Sequence, residues 1–182
     1  MRTFIAIDLP AVVKEKISAT QIKLKKIDPS AKWVRPDNMH LTLKFLGEVE
    51  QEKIPEIKKT MESVAAKHPA LTVTLEAFGF FPNEKRPRVF FISTSGQKAL
   101  KALADDLETA LQRLGFEPEG RFQSHVTLAR LTQSKNADYL LTEIKNIKLG
   151  ESFHIGEIIL YKSTLTGTGP IYEIIAKIAL TA

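Results

Sequence analysis

The chain of 182 residues has no cysteine, which excludes disulfides, thiolate zinc sites, iron–sulfur clusters and a cysteine nucleophile together. No apolar run approaches the ~20 residues of a membrane-spanning helix. Asp8 interrupts the N-terminal stretch where an export signal would carry its apolar core. These absences predict a soluble, cytoplasmic protein. Neither sign of charge dominates, with 26 Lys and Arg against 21 Asp and Glu, and 43% hydrophobic residues is ordinary globular composition. At roughly 100–200 residues per domain, the length predicts one domain. With no second domain recognisable, a monomer is expected.

The net charge of +5 lies wholly in residues 1–91, with 16 basic and 11 acidic side chains, whereas residues 92–182 hold 10 of each. A basic half suggests a polyanionic partner, nucleic acid first among them. A solvated helix face carrying Lys14, Lys16, Lys23, Lys25 and Lys26 accounts for much of the excess equally well.

Along the chain, Thr3–Leu9 alternates as a strand, and Ala11–Ile27 carries Val13, Ile17 and Leu24 at helical spacing. His40–Leu46 reads as a strand closed by Gly47, Ile54–Lys67 as a helix, and Leu71–Phe80 as a strand. Pro82–Pro87 is the clearest break and is expected to form a hinge or crossover. A second series follows: strand Arg88–Thr94, helix Gln97–Leu114 stopped by Gly115, strand Ser124–Arg130 and helix Asn136–Ile147. Strands Phe153–Leu165 and Ile171–Leu180 close it, joined by a Gly167–Pro170 turn.

Each half therefore runs strand, helix, strand, helix, strand, and the second strand of each half begins His-x-Thr-Leu, at His40 and again 85 residues later at His125. That period is too long for a solenoid and marks a duplication. The expected fold is α+β, with two lobes related by a pseudo-twofold axis and antiparallel sheets lining a central cleft with the helices outside. The lobes, residues 1–81 and 88–182, are expected to exchange strands within one domain.

On a strand, residues two apart share a face. His40 and Thr42 therefore project together, as do His125 and Thr127, while Leu41 and Val126 face the core. Two imidazoles and two hydroxyls toward one space suit acid–base chemistry on a phosphodiester: one neutral histidine accepts a proton while a charged one donates. In-line displacement needs these groups on opposite sides of phosphorus, and threonine hydroxyls can donate hydrogen bonds to its non-bridging oxygens. Histidine is also the commonest metal ligand, so a metal-dependent phosphoesterase is a rival, although one histidine per strand falls short of the usual ligand set. His68 and His154 lack the motif and read as ordinary structural residues. Lys44 shares the face of His40 under strict alternation and is a candidate for substrate binding. Phe45, Phe78 and Phe80 could stack on a base or belong to the core, as could Trp33. Arg130 could bind phosphate, but strict alternation sends it away from His125 unless a bulge intervenes.

The segments Met1–Pro10, Trp33–Val49 and Ser124–Arg130, with their Trp-Val and Phe-Leu-Gly flanks, resemble the two-histidine (2H) phosphoesterases. Within that group the chain most resembles the RNA 2′,3′-cyclic phosphodiesterases, long called 2′-5′ RNA ligases. The late segment Leu160–Tyr172 resembles the C-terminal strands of the same family, so the likeness spans essentially the whole chain. One departure is Ser124, where the family often has proline. The resemblance implies hydrolysis of a terminal 2′,3′-cyclic phosphate to a 2′-phosphomonoester without metal or nucleotide cofactor. It implies His125 as the base that activates water, His40 as the acid that protonates the departing 3′-oxygen, and Thr42 and Thr127 as phosphate holders. The implied partners are RNA ends bearing the cyclic phosphate, with tRNA-derived fragments as candidates. Microscopic reversibility then allows 2′-5′ joining by the same groups. An RNA end-binding protein without turnover is the alternative of a different class, although a pure binder need not keep both proton-transfer groups.

Overall fold

The structure, a computed structural model, describes residues 1–132 and 136–182. The β-branched and aromatic residues of Arg2–Asp8 form β1, which runs antiparallel to β3 (His40–Glu48) on one side and to β8 (Glu157–Thr166) on the other. Flanked on both edges, its residues Thr3 to Ile7 are all buried. Three helices present apolar stripes to the sheet, as their spacing predicts. Helix α1 (Ala11–Lys25) buries Val13, Ile17, Gln21 and Leu24. Helix α2 (Ile54–Ala65) buries Ile57, Met61, Val64 and Ala65, and α3 (Gln97–Gln112) buries Leu100, Leu103, Ala104, Leu107 and Leu111. Helix α4 (Ala137–Ile144) is shorter than its pattern suggests, ending at Ile144. Among the described residues no helix is long and apolar enough to cross a membrane.

The remaining strands are β2 (Lys32–Trp33), β4 (Leu71–Phe81), β5 (Val89–Thr94), β6 (His125–Arg130), β7 (Ser152–Ile155) and β9 (Gly169–Ala179). They join one sheet in the order β7-β4-β5-β6-β3-β1-β8-β9, with β2 paired to β6. The pairs between these strands are antiparallel. The order is symmetric about its middle: β5–α3–β6 answers β1–α1–β3, and the two histidine strands meet at the Leu41–Val126 pair. This is the expected α+β, two-lobe duplication.

Two expectations are corrected. Pro82–Pro87 is not a hinge or crossover. It is the turn of the β4–β5 hairpin, where Arg88 N–H donates to Phe81 O at 2.7 Å and Asn83 Oδ1 accepts from the N–H groups of Lys85 and Arg86. The chain crosses between lobes earlier, between α2 and β4, because β4 pairs with β5 and β7. Phe153–Leu165 is not one strand either. It divides at Gly156 into β7, which lies against β4 at one edge of the sheet, and β8, which lies beside β1. A stretch rich in β-branched and aromatic residues reads alike in both cases, since Gly156 is the sole turn-forming residue within it.

Candidate active site

Both histidine strands follow the same burial pattern. His40 and Thr42 are half-buried around a buried Leu41, and His125 and Thr127 are half-buried around a buried Val126. Each strand then slips register at an equivalent place. Thr42 lies opposite Ala6 but Lys44 lies opposite the adjacent Ile5; Thr127 lies opposite Phe91 but Ala129 lies opposite the adjacent Phe90. These are bulges, which insert one extra residue and break the alternation. Leu43 and Lys44 are both buried in consequence, as are Leu128 and Ala129, and Phe45 and Arg130 emerge on the exposed side. The second bulge is supported from α1, where buried Gln21 donates from Nε2 to Leu128 O and Val34 O, each at 3.0 Å.

The slip decides the fate of both uncertain basic residues. Arg130 is returned to the cleft that holds the histidines. Lys44 is turned away from it, a correction to the alternation argument. Only 1% exposed, its ammonium donates to Glu108 Oε1 at 3.0 Å and to Glu117 O at 2.5 Å. A buried charge so paired holds the segment after α3 against β3, and Lys44 is not among the residues that line the histidine cleft.

The cleft, about 800 Å³, is lined by His40, Thr42, Phe45, His125, Thr127 and Arg130. Three further cations, Arg2, Lys32 and Arg35, line it with Trp33, Asn38, Tyr172 and the tip of the β8–β9 hairpin, and among the described residues no carboxylate lines it. Lys32 lies directly opposite Arg130 across the β2–β6 pair. Like charges so placed repel, and an anion between them relieves the repulsion. Arg2, Lys32 and Arg35 escape the sequence argument, and the basic half is the signal of their presence; the Gly167–Pro170 turn is legible as a turn but not as part of the cleft. A smaller cavity of about 240 Å³ adjoins through Thr42, Phe45 and His125 and is walled by Asp105, Glu108, Glu119 and Arg121. Phe45, 47% exposed, borders both. Phe78 and Phe80 stack on Phe90 within the core, and Trp33 meets Phe90 edge-on while lining the cleft. His68 pairs with Asp106 at 2.8 Å, and His154 is exposed on β7.

The imidazoles are oriented identically. His40 Nδ1 lies 2.8 Å from Asn38 O, and His125 Nδ1 lies 2.7 Å from Gln123 O, in each case the carbonyl two residues earlier. A carbonyl only accepts, so Nδ1 carries the proton and, in the neutral ring, Nε2 keeps its lone pair. Burial holds His125 below the ordinary value of 6.5 and lowers His40 to about 4, in both cases against the raising effect of the carbonyl bond. Asp8, opposite His40 in the sheet, raises His40, while Lys14 and His125 oppose it. Among the described residues no group of three or more His, Cys, Asp or Glu side chains is gathered as for a metal ion.

Two half-buried histidines, each followed two residues on by a threonine, thus line one cleft with several cationic side chains. The LigT-like phosphoesterase family matches the chain twice, over residues 7–91 and 91–172, one match for each half of the duplication. The chain belongs to that family. It is 36% identical over 176 residues to an RNA 2′,3′-cyclic phosphodiesterase of Thermotoga maritima, covering 96% of this chain and 93% of the relative. It is 37% identical to the protein of that name from Methanocaldococcus jannaschii, covering 97% and 99%. Among solved structures, a Thermus thermophilus protein superposes with a TM-score of 0.82 at 27% identity, covering 99% and 98%. E. coli LigT, solved with 3′-AMP, superposes with a TM-score of 0.73 at 28% identity, covering 100% and 98%.

Proposed function

We propose that this hydrolase, an RNA 2′,3′-cyclic phosphodiesterase by kinship, opens the cyclic phosphate to a 2′-phosphomonoester by proton transfer between His125 and His40 without a metal. The observation that carries this reading is the pair of His-x-Thr units on neighbouring strands, both facing one cleft lined by Arg2, Lys32, Arg35 and Arg130.

His125 Nε2 takes a proton from water as the oxygen attacks phosphorus, and His40 gives its proton to the 3′-oxygen as the P–O3′ bond breaks. Thr42 and Thr127 donate to the non-bridging oxygens, and Arg130 offsets their charge. His40 must be charged to act as the acid, and burial opposes that. A bound phosphate anion favours the imidazolium and restores it. With a 5′-hydroxyl in place of water, the same transfers form a 2′-5′ phosphodiester.

Arg2, Lys32 and Arg35 exceed what a single phosphate requires and favour an RNA chain over a cyclic mononucleotide. Phe45, exposed beside the cleft, suits stacking on a base. Fragments of tRNA with cyclic ends fit this chemistry, in the cytoplasm and with the protein as a monomer. Because β4 joins the strands of the second half while β8 and β9 join those of the first, neither lobe completes its sheet alone. Residues 1–182 therefore act as one unit.

The test is cleavage of an RNA oligonucleotide ending in a 2′,3′-cyclic phosphate, in EDTA, with the product isomer identified. A 2′-phosphate is expected. Activity that appears only on adding a divalent metal would replace the two-histidine mechanism, and binding without product under any condition would leave an RNA-end binder.

A further inference from the structure

The orientation of His125 depends on one carbonyl, Gln123 O, at 2.7 Å. That carbonyl lies in the segment between α3 and β6, where the chain forms neither helix nor strand, so no ladder of backbone bonds holds it. One side chain brackets it. Gln97 Nε2 donates to Phe122 O at 3.2 Å, and Gln97 Oε1 accepts from Ser124 N–H at 2.7 Å. The residues on both sides of Gln123 are thus tied to one amide. Ser124 is secured again by a hydrogen bond between its hydroxyl and that of Thr94, both buried.

Gln97 is itself firmly placed. It opens α3 directly after Gly96, whose φ of +74° turns the chain from β5 into the helix. Such a φ strains any residue with a Cβ, and a Cβ there would also crowd Val73 Cγ1 at 3.1 Å. His40 is served differently: its carbonyl partner, Asn38 O, belongs to a residue whose own Nδ2 donates to Pro170 O at 2.8 Å, tying it to the β8–β9 hairpin.

We propose that Gln97 is a positioning residue for His125: by holding Phe122 O and Ser124 N–H it sets the Gln123 carbonyl, and through it the imidazole tautomer that leaves Nε2 free to take the proton. The pairing with Ser124 N–H is open to this chain because proline at 124 would have no such donor. The kinetic consequence rests on the two-histidine reading; the structural consequence does not.

The experiment follows the imidazole Nδ1–H signals of the full-length protein by NMR with 15N-labelled histidine. The Gln97→Leu variant loses the His125 signal to exchange and keeps that of His40, while Asn38→Ala does the reverse. On cyclic-phosphate RNA, Gln97→Leu lowers kcat about tenfold with KM within about twofold, since misplacement of a reacting group acts on the chemical step. Gln97→Glu keeps the acceptor for Ser124 N–H and loses the donor, so its kcat and signal intensity fall between the two. An unchanged His125 signal in Gln97→Leu, or equal loss of both histidine signals, overturns the proposal. If the wild-type protein proves inactive but the His125-selective loss persists, the positioning role stands and the hydrolytic reading falls.

Discussion

His40 and His125 are held alike and housed differently. Each donates from Nδ1 to the carbonyl two residues back and precedes a bulge that turns the fifth residue onward toward the cleft. Around His40, however, lie Phe4 at 4.8 Å and Tyr172 at 5.3 Å between ring centroids, with Asp8 across the sheet and Lys14 bonded to Asp8 at 2.6 Å. Around His125 lie Phe81 at 5.0 Å and Phe91 at 5.4 Å, and the residue across the sheet is the uncharged Ser93. Duplication supplies two equivalent frames, and the packing against each frame makes the two imidazoles unequal.

The largest effect expected removes either member of the pair. His40→Ala and His125→Ala should each lower kcat by about a thousandfold, within the range of general acid–base groups, while circular dichroism and Tm change little. Near-wild-type turnover in either variant would break the acid–base assignment.

Next in size is the departure from symmetry at Lys44, whose counterpart 85 residues on is Ala129. Lys44→Met leaves Glu108 without its buried partner and should destabilise the fold by roughly 3 kcal/mol, read as a shifted urea midpoint. A KM effect without loss of stability would return Lys44 to the substrate.

The third prediction separates the two imidazoles by pH. His40 titrates at about 4 in the folded chain against 6.5 when unfolded, so between these values the unfolded state binds more protons. Its contribution to stability is complete above 6.5 and is lost as pH falls toward 4, by roughly 3 kcal/mol at about 1.36 kcal/mol per pKa unit. Urea denaturation of His40→Gln should therefore be flatter than wild type across that window. In the same spirit, kcat/KM, which reports the free protein, should peak on the acid side of 6.5. An optimum well above 7 would contradict the burial of both rings.

The smallest effect compares the two residues that the bulges expose. Arg130→Ala should weaken RNA binding by about 1–3 kcal/mol and lower the salt slope by about one, whereas Phe45→Ala should weaken binding by a similar amount with the slope unchanged. Equal salt slopes would mean that Arg130 does not meet phosphate.

Much of this is legible along the chain. The helix stripes, the duplicated His-x-Thr-Leu and the shared face of His40 with Thr42 are short-period patterns, and local patterns survive folding when one face is buried. The features that mislead are of another kind. Period two places Lys44 on the cleft face only if it is extended across a bulge, and Pro82–Pro87 reads as a hinge because a hairpin turn and an interlobe link have the same composition.

Local sequence settles which groups could do chemistry, that there are two sets of them, and that each set pairs an imidazole with a hydroxyl, since side-chain direction two residues apart on a strand is a local property. Only the assembled sheet settles that β4 joins the second lobe and β8 and β9 the first, and that Arg2, Lys32, Arg35 and Arg130 gather at one cleft. The inward turn of Lys44 belongs with these. Each of them depends on which strand lies alongside and in what register, and a bulge exists only between two strands.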